Sequence, residues 1–167
     1  MQRLILLRHG KAESVSGQGG DAERCLTDRG RRDSALMGRV LAEAGLKPDL
    51  VLVSDARRTR ETWEEVSAAF PAAEVEVDRA LYLASAERLA HAIDANAESA
   101  ACLMIVGHNP GIHEIAAICA GRTQGPDRDR LMNSFPTACA AVFSKDANGG
   151  WVLDAMLEPK GHGGGIL

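Results

Sequence analysis

Two histidines and several arginines of this 167-residue chain stand where apolar runs stop. Leu4-Ile5-Leu6-Leu7 ends at Arg8-His9-Gly10. Leu50-Val51-Leu52-Val53 ends at Ser54 and leads into Arg57, Arg58 and Thr62, and Cys102 to Val106 ends at Gly107-His108-Asn109-Pro110. A short apolar run of this kind predicts a buried strand, and open α/β sheets bind their ligands beyond the carboxyl ends of the strands. If the three strands are parallel, two imidazoles and at least two guanidinium groups meet at one edge, and such a pocket wants an anion. Arg57 or Arg58 falls in the first turn of a helix, where free N–H groups favour negative charge and the guanidinium fork matches phosphate oxygens.

The chemistry this predicts is phosphoryl transfer centred on His9. A nucleophilic imidazole must be neutral with one nitrogen free, and Arg8 and Arg58 nearby disfavour the imidazolium. The same cations then neutralise the phosphoryl oxygens during transfer. Gly10 is expected to let the backbone turn tightly and approach the substrate without a Cβ.

The elements that must position these groups follow from periodicity. Lys11 to Arg24 is polar and glycine-bearing, a surface loop expected to rim the site. A helix begins near Leu26-Thr27-Asp28-Arg29, with Thr27 as N-cap, and runs to Gly45. The run Leu50–Val53 is followed by a helical segment from Arg57 to Phe70, with Trp63, Val66 and Phe70 on one face. Val75 to Val77 alternates as a short strand. Ser85 to Ala97 reads as a helix capped by Ser85. After the strand at Cys102–Val106, Asn109 as N-cap and Pro110 at the first position open a helix carrying Ile112, Ile115, Ala116 and Cys119. Residues 121–134 read as loop, and Ala138–Ser144 with Trp151–Met156 form an antiparallel hairpin around Asn148-Gly149-Gly150. The fold class is α/β: three layers, a mostly parallel sheet with helices on both faces, and the hairpin at one side near the C-terminus. Residues 1–160 are expected to form a single domain, with 161–167 a flexible glycine-rich tail.

Composition narrows the function classes. A net charge of -4 with both signs interspersed argues against a nucleic-acid surface. The apolar start is too short for a signal core or a membrane span. The cysteines, Cys25, Cys102, Cys119 and Cys139, are widely separated and lack zinc-ligand spacing, which fits reduced thiols in the cytoplasm.

Three ordered motifs, Arg8-His9-Gly10, Ser54 through Arg58 to Thr62, and Gly107-His108-Asn109-Pro110, resemble the histidine phosphatase superfamily, which has the phosphoglycerate-mutase-like fold. The short length and Leu26-Thr27-Asp28-Arg29-Gly30 look most like its SixA branch of phosphohistidine phosphatases. The resemblance runs from residue 3 to about residue 120. It implies that His9 accepts the phosphoryl group as a phosphohistidine intermediate, and that Arg8 and His108 hold its oxygens. The family spacing of four residues after the serine and four before the threonine selects Arg58 over Arg57. No metal, nucleotide or other cofactor is implied. The implied partner is a phosphohistidine-bearing phosphotransfer domain, or else a small phosphorylated metabolite. A non-catalytic phosphoprotein-binding module is the reading from another class. Many members use a carboxylic acid to protonate the leaving oxygen, and here Asp78, Glu87, Glu13 and Asp21 all stand without a convincing motif. That gap favours a phosphoramidate substrate, whose protonated imidazole leaves without a further acid.

Other chemistry-bearing residues have plainer readings. Arg57 and Arg60 read as solvated helix charges, Trp63 as core, and His91 and His113 as structural or exposed, with His113 able to reach the pocket wall. His162 belongs to the glycine tail.

Overall fold

The computed structural model describes residues 1–166. Its central strand, β1 (Arg3–Arg8), shows why the apolar run is continuous: Leu4 and Leu6 enter the core on one face of the sheet, while Ile5 and Leu7 enter that on the other. All four are fully buried. A strand covered on both sides has no solvent face to keep polar, and each such side chain contributes about 1.5–3 kcal/mol by leaving water.

Three strands run parallel in the same sheet, namely β2 (Leu50–Ser54), β3 (Glu74–Asp78) and β4 (Cys102–Gly107). The hairpin strands β5 (Ala140–Lys145) and β6 (Trp151–Leu157) add antiparallel at the far side of β1, giving the order β3-β2-β4-β1-β5-β6. Arg8 at the end of β1 is in register with Gly107 at the end of β4, and Val53 of β2 with Val106. The three chemistry-bearing ends therefore sit level along one edge.

One face of the sheet is covered by α1 (Asp28–Glu43) and α2 (Arg57–Ser67), which supply Met37, Leu41 and Val66. The other is covered by α3 (Ala86–Ala95), α4 (Gly111–Cys119) and α5 (Pro126–Asn133), through Leu89, Ile93, Ile112, Ile115 and Leu131. The molecule is thus the expected three-layer α/β fold. Thr27 caps α1 by accepting from Gly30 N (3.0 Å), and Ser85 caps α3 by accepting from Arg88 N (3.2 Å). Among the described residues no helix is long and apolar enough to cross a membrane.

Two secondary-structure expectations change. Residues 126–133, read as loop, form α5: Gly125 precedes Pro126 at the first turn, Asp127 and Asp129 face the helix N-terminus, and Leu131 is the single residue it fully buries. A helix that buries so little leaves almost no apolar period. Asn109 does not cap α4, because its side chain instead donates to the Phe135 carbonyl (2.9 Å), and the helix starts at Gly111. In the glycine tail, Gly165 N donates to Asp33 Oδ1 (2.9 Å) and Gly164 N to the Pro159 carbonyl (2.8 Å), so these residues lie along α1.

The backbone after β1 is pressed by α1. A Cβ on Gly10 would meet Gly30 O and Ser34 Oγ, each at 2.6 Å. The glycine is therefore required by the helix behind it, and the expectation that it clears space for substrate is replaced. A Cβ on Gly30 would lie 2.1 Å from the Lys11 carbonyl oxygen. Backbone cannot yield as a flexible side chain does, so Gly30→Ala is expected to destabilise the protein by about 1–3 kcal/mol. Gly17→Ala, with open space around it, is expected to be nearly neutral. Urea denaturation of the two variants checks this.

Candidate active site

The backbone of His9 is fixed on both sides: its N–H donates to the Gly107 carbonyl at the end of β4 (3.1 Å), and its own carbonyl accepts from Ala138 N in the turn before β5 (2.9 Å). The ring is 7% exposed. Nδ1 lies 2.7 Å from the Gly10 carbonyl oxygen, which can only accept, so Nδ1 carries the proton and Nε2 keeps its lone pair. Burial pushes the pKa of His9 down to about 3, with His108, Arg8 and Arg58 adding to the effect and the Gly10 bond opposing it. The arginines, the cause the sequence points to, act in the expected direction but rank behind loss of hydration.

Arg8, His9, Arg58 and His108 all line one cavity of about 340 Å³, together with Lys11, Ala12, Asp21, Arg24, Leu83, Asn109 and Thr137. The His9 and His108 ring centroids are 5.5 Å apart. Arg8 Nη1 donates to the Phe135 carbonyl (3.1 Å), the same oxygen that holds Asn109. Arg58 is 2% exposed although it starts a surface helix. Its Nη1 donates to the Asp21 carbonyl (2.8 Å) and its Nη2 to the Asp21 carboxylate (3.0 Å). Arg57 points elsewhere and pairs with Glu61 (3.4 Å), and Arg60 pairs with Asp55 (3.5 Å). Thr62 Oγ1 accepts from Gly10 N (3.0 Å) and donates to the Arg58 carbonyl (2.7 Å), tying the first motif to the second.

Among the described residues five buried side-chain polar atoms lack a hydrogen-bond partner, and four of them belong to this cavity: Arg8 Nε, Arg58 Nε, His108 Nδ1 and Asn109 Oδ1, the fifth being Arg128 Nε. Unpaired buried polar groups are costly and rare in native proteins. They are concentrated at one place: the two guanidinium Nε groups can only donate, whereas Asn109 Oδ1 can only accept.

The carboxylate candidates separate cleanly. Asp78 accepts from Ala80 N (2.8 Å) and caps a turn, and Glu87 sits exposed in the first turn of α3. Neither these two nor Glu13 lines the cavity, whereas Asp21 does. The Tyr82 hydroxyl and the Arg24 and Arg58 guanidinium groups hold the Asp21 carboxyl well below the usual carboxylate range. It is an anion, not a proton donor. His113 stays out of the cavity: Nε2 donates to the Leu131 carbonyl (2.6 Å) and the ring stacks on Phe135, docking α5 onto α4.

The family model for the histidine phosphatase superfamily (branch 1) matches residues 4–82, the span that carries the first two motifs. An uncharacterized chloroplastic protein of Arabidopsis thaliana is 30% identical over 95% of this chain and 78% of its own length. The crystal structure of a protein named as the putative phosphohistidine phosphatase SixA from Agrobacterium tumefaciens superposes with a TM-score of 0.82 at 29% identity, covering 95% of this chain and 98% of that one. The protein histidine phosphatase SixA in complex with tungstate, 23% identical, superposes at 0.79 over 96% and 99% of the two chains. The chain belongs to the histidine phosphatase superfamily. It is a phosphatase, and its fold is that of the SixA branch.

Several residues of this histidine phosphatase's pocket escaped the sequence reading. Arg24 pairs with Asp21 at 3.0 Å in the loop after β1, and a mixed-charge loop gives no period to read; Asp21 itself, a carboxylic-acid candidate from the sequence, instead anchors Arg58. Tyr82 is the one tyrosine of the chain, and that singularity was the available signal. Leu83 and Thr137 have none.

The buried imidazoles also set a pH dependence. His108 is pushed down to about 4, by burial first and by Arg58 second, whereas an unfolded histidine titrates at about 6.5. Below that value the unfolded chain binds protons that the folded chain refuses, so stability is lost as pH falls from about 6.5 towards about 3. A His9→Asn variant is expected to lose less stability than wild type on going from about pH 7 to about pH 5. Equal losses in urea melts would show that His9 does not titrate differently on folding.

Proposed function

We propose that this phosphatase removes the phosphoryl group from phosphohistidine on another protein, through a phosphohistidine intermediate on Nε2 of His9. The observation that carries the reading is the tied tautomer of His9 surrounded by unpaired buried donors: one lone pair is free to attack, and Arg8, Arg58 and His108 stand around the place where a phosphoryl group must pass. Nε2 forms a bond to phosphorus as the bond to the leaving nitrogen breaks, and the electron pair stays with the leaving imidazole. Water then displaces phosphate from His9, returning the pair to Nε2. The arginines supply electrostatic stabilisation without reorganising, since each is already anchored by a carbonyl or carboxylate.

The substrate class follows from proton supply. Among the described residues the cavity has one carboxyl group, and Asp21 is held ionised. An alkoxide leaving group needs a proton in the transition state, whereas the imidazole of a protonated phosphohistidine leaves without one. Access supports a protein substrate as well. Between β3 and β4 the chain holds a 3-10 turn (Arg79–Leu81) and α3, with no inserted cap, and Leu83 on the rim is 53% exposed. The 29% identical neighbour is named a putative phosphohistidine phosphatase, which supports the same reading. We take residues 1–160 as one catalytic domain acting in the cytoplasm, a setting that suits four free cysteines. No metal takes part in the proposed reaction, because Arg8 and Arg58 in the cavity supply the cationic charge.

Side-by-side turnover of a phosphohistidine-bearing phosphotransfer domain and a simple phosphomonoester, each with and without a strong chelator, tests the proposal. The phosphoprotein is expected to be hydrolysed faster, at a rate the chelator leaves unchanged. Faster turnover of the monoester would overturn the substrate assignment while leaving the His9 chemistry in place. Within the same assay Arg58→Ala is expected to lower kcat by about 10²–10³-fold, as removal of a transition-state donor does. Arg57→Ala should leave it nearly unchanged, and equal losses would refute the assignment of the second arginine.

A further inference from the structure

His108 has one ring proton to place. The ring is 3% exposed and lies beside Arg58, and both conditions favour its neutral form. Its Nε2 is 2.7 Å from Ser54 Oγ, while Nδ1 is buried with no hydrogen-bond partner. Tyr82 packs edge-on against the ring at 5.6 Å. Ser54 is the last residue of β2 and is wholly buried; its carbonyl is held by Thr59 Oγ1 (2.6 Å), so the hydroxyl has a fixed origin. Among the described residues that hydroxyl has a single partner, His108 Nε2.

Two arrangements are open to the pair. If Nε2 carried the proton and donated to Ser54 Oγ, the serine hydroxyl hydrogen would be buried without an acceptor, and Nδ1 would keep a buried, unpaired lone pair. If the hydroxyl donates to Nε2, the serine is satisfied and the ring proton must lie on Nδ1. Phosphoryl oxygens only accept, so the second arrangement is also the one that suits an anion.

We infer that Ser54 is a positioning residue that holds the His108 proton on Nδ1, so that the ring presents an N–H donor to the phosphoryl oxygens; the donor role rests on the pocket being the phosphoryl site proposed above. Ser54 acts on the chemistry only through the imidazole. A strand-end serine becomes the device that sets which face of the second histidine is polar and in which sense.

The test begins with the protein labelled with 15N-histidine and free of substrate. Correlation of ring nitrogens with ring carbon-bound protons is expected to show His108 protonated on Nδ1 and bare on Nε2, with the His108→Asn spectrum assigning the signals. A wild-type ring protonated on Nε2 overturns the inference whatever the enzyme hydrolyses. In Ser54→Ala the tautomer preference should be lost and kcat should fall about 10–100-fold, as removal of such an orienting partner does, while Ser54→Thr should restore both. An unchanged spectrum and rate in Ser54→Ala would also overturn it. A second pair does not depend on how a larger side chain packs at residue 54. An asparagine amide nitrogen overlays Nδ1 and a glutamine nitrogen overlays Nε2, so His108→Asn should bind inorganic phosphate more tightly than His108→Gln. The reverse order or equal affinity removes the donor role. Failure to turn over phosphohistidine would sink the substrate assignment alone, because the spectrum of the free protein tests Ser54 without any substrate.

Discussion

A buried imidazole must give one nitrogen to a partner, and the position of that partner decides what the other nitrogen can do. In His9 the partner is the carbonyl of the next residue, so the tautomer is set by local backbone geometry. That geometry is not local in origin. Gly10 and Lys11 are pressed by the first turn of α1 at Gly30, Gly10 N is held by Thr62 of α2, and the His9 backbone is bonded to the turn before β5 and the end of β4. The tautomer of His9 is therefore a property of four elements meeting, although it is expressed in a single ring.

The same constraint acts on the second histidine with a different partner. His9 uses a carbonyl, which fixes the proton on the nearer nitrogen; His108 uses a hydroxyl at 2.7 Å, which can give as well as take. The proposed roles divide accordingly: one ring attacks phosphorus and the other donates to its oxygens. Arg8 and Arg58 carry the remaining charge, and burial forces each to be anchored. Arg58 depends on Asp21, which belongs to the loop after β1 and is also gripped by Arg24 and Tyr82. Removing one partner from a buried charge costs far more than the pair contributes, so loop, α2 and the turn before α3 hold one another in place. Glu61 extends this outward: its carboxylate accepts from Leu26 N, Arg31 and Arg57. The Arg57 of the second motif thus serves the scaffold while its neighbour serves the site.

Legibility in the sequence followed the physics of each element. β1, β2 and β4 were readable because strands buried on both faces need uninterrupted apolar residues, and the helices α1 and α4 because a buried stripe repeats every three or four residues. α5 was not, since Leu131 is its one fully buried residue. The start of α4 was misplaced because Asn109 and Pro110 carry a strong capping signature that the Phe135 carbonyl overrides. Gly10 was assigned to substrate approach when the neighbour that demands it, Gly30, is 20 residues away along the chain.

By itself the amino-acid sequence determined the layered α/β fold, the shared edge at which Arg8, His9, Arg58 and His108 meet, and the superfamily to which they belong, because residue type and spacing encode strand ends directly. Tertiary structure alone decided the protonation of the pocket. Burial outweighs the arginines in keeping His9 neutral, the Gly10 carbonyl holds the His9 tautomer, the Ser54 hydroxyl is placed against His108 Nε2, and Tyr82 with Arg24 and Arg58 keeps Asp21 ionised. Desolvation and hydrogen bonding depend on which distant residues exclude water and which atoms they present, and neither quantity is written in the spacing of a motif.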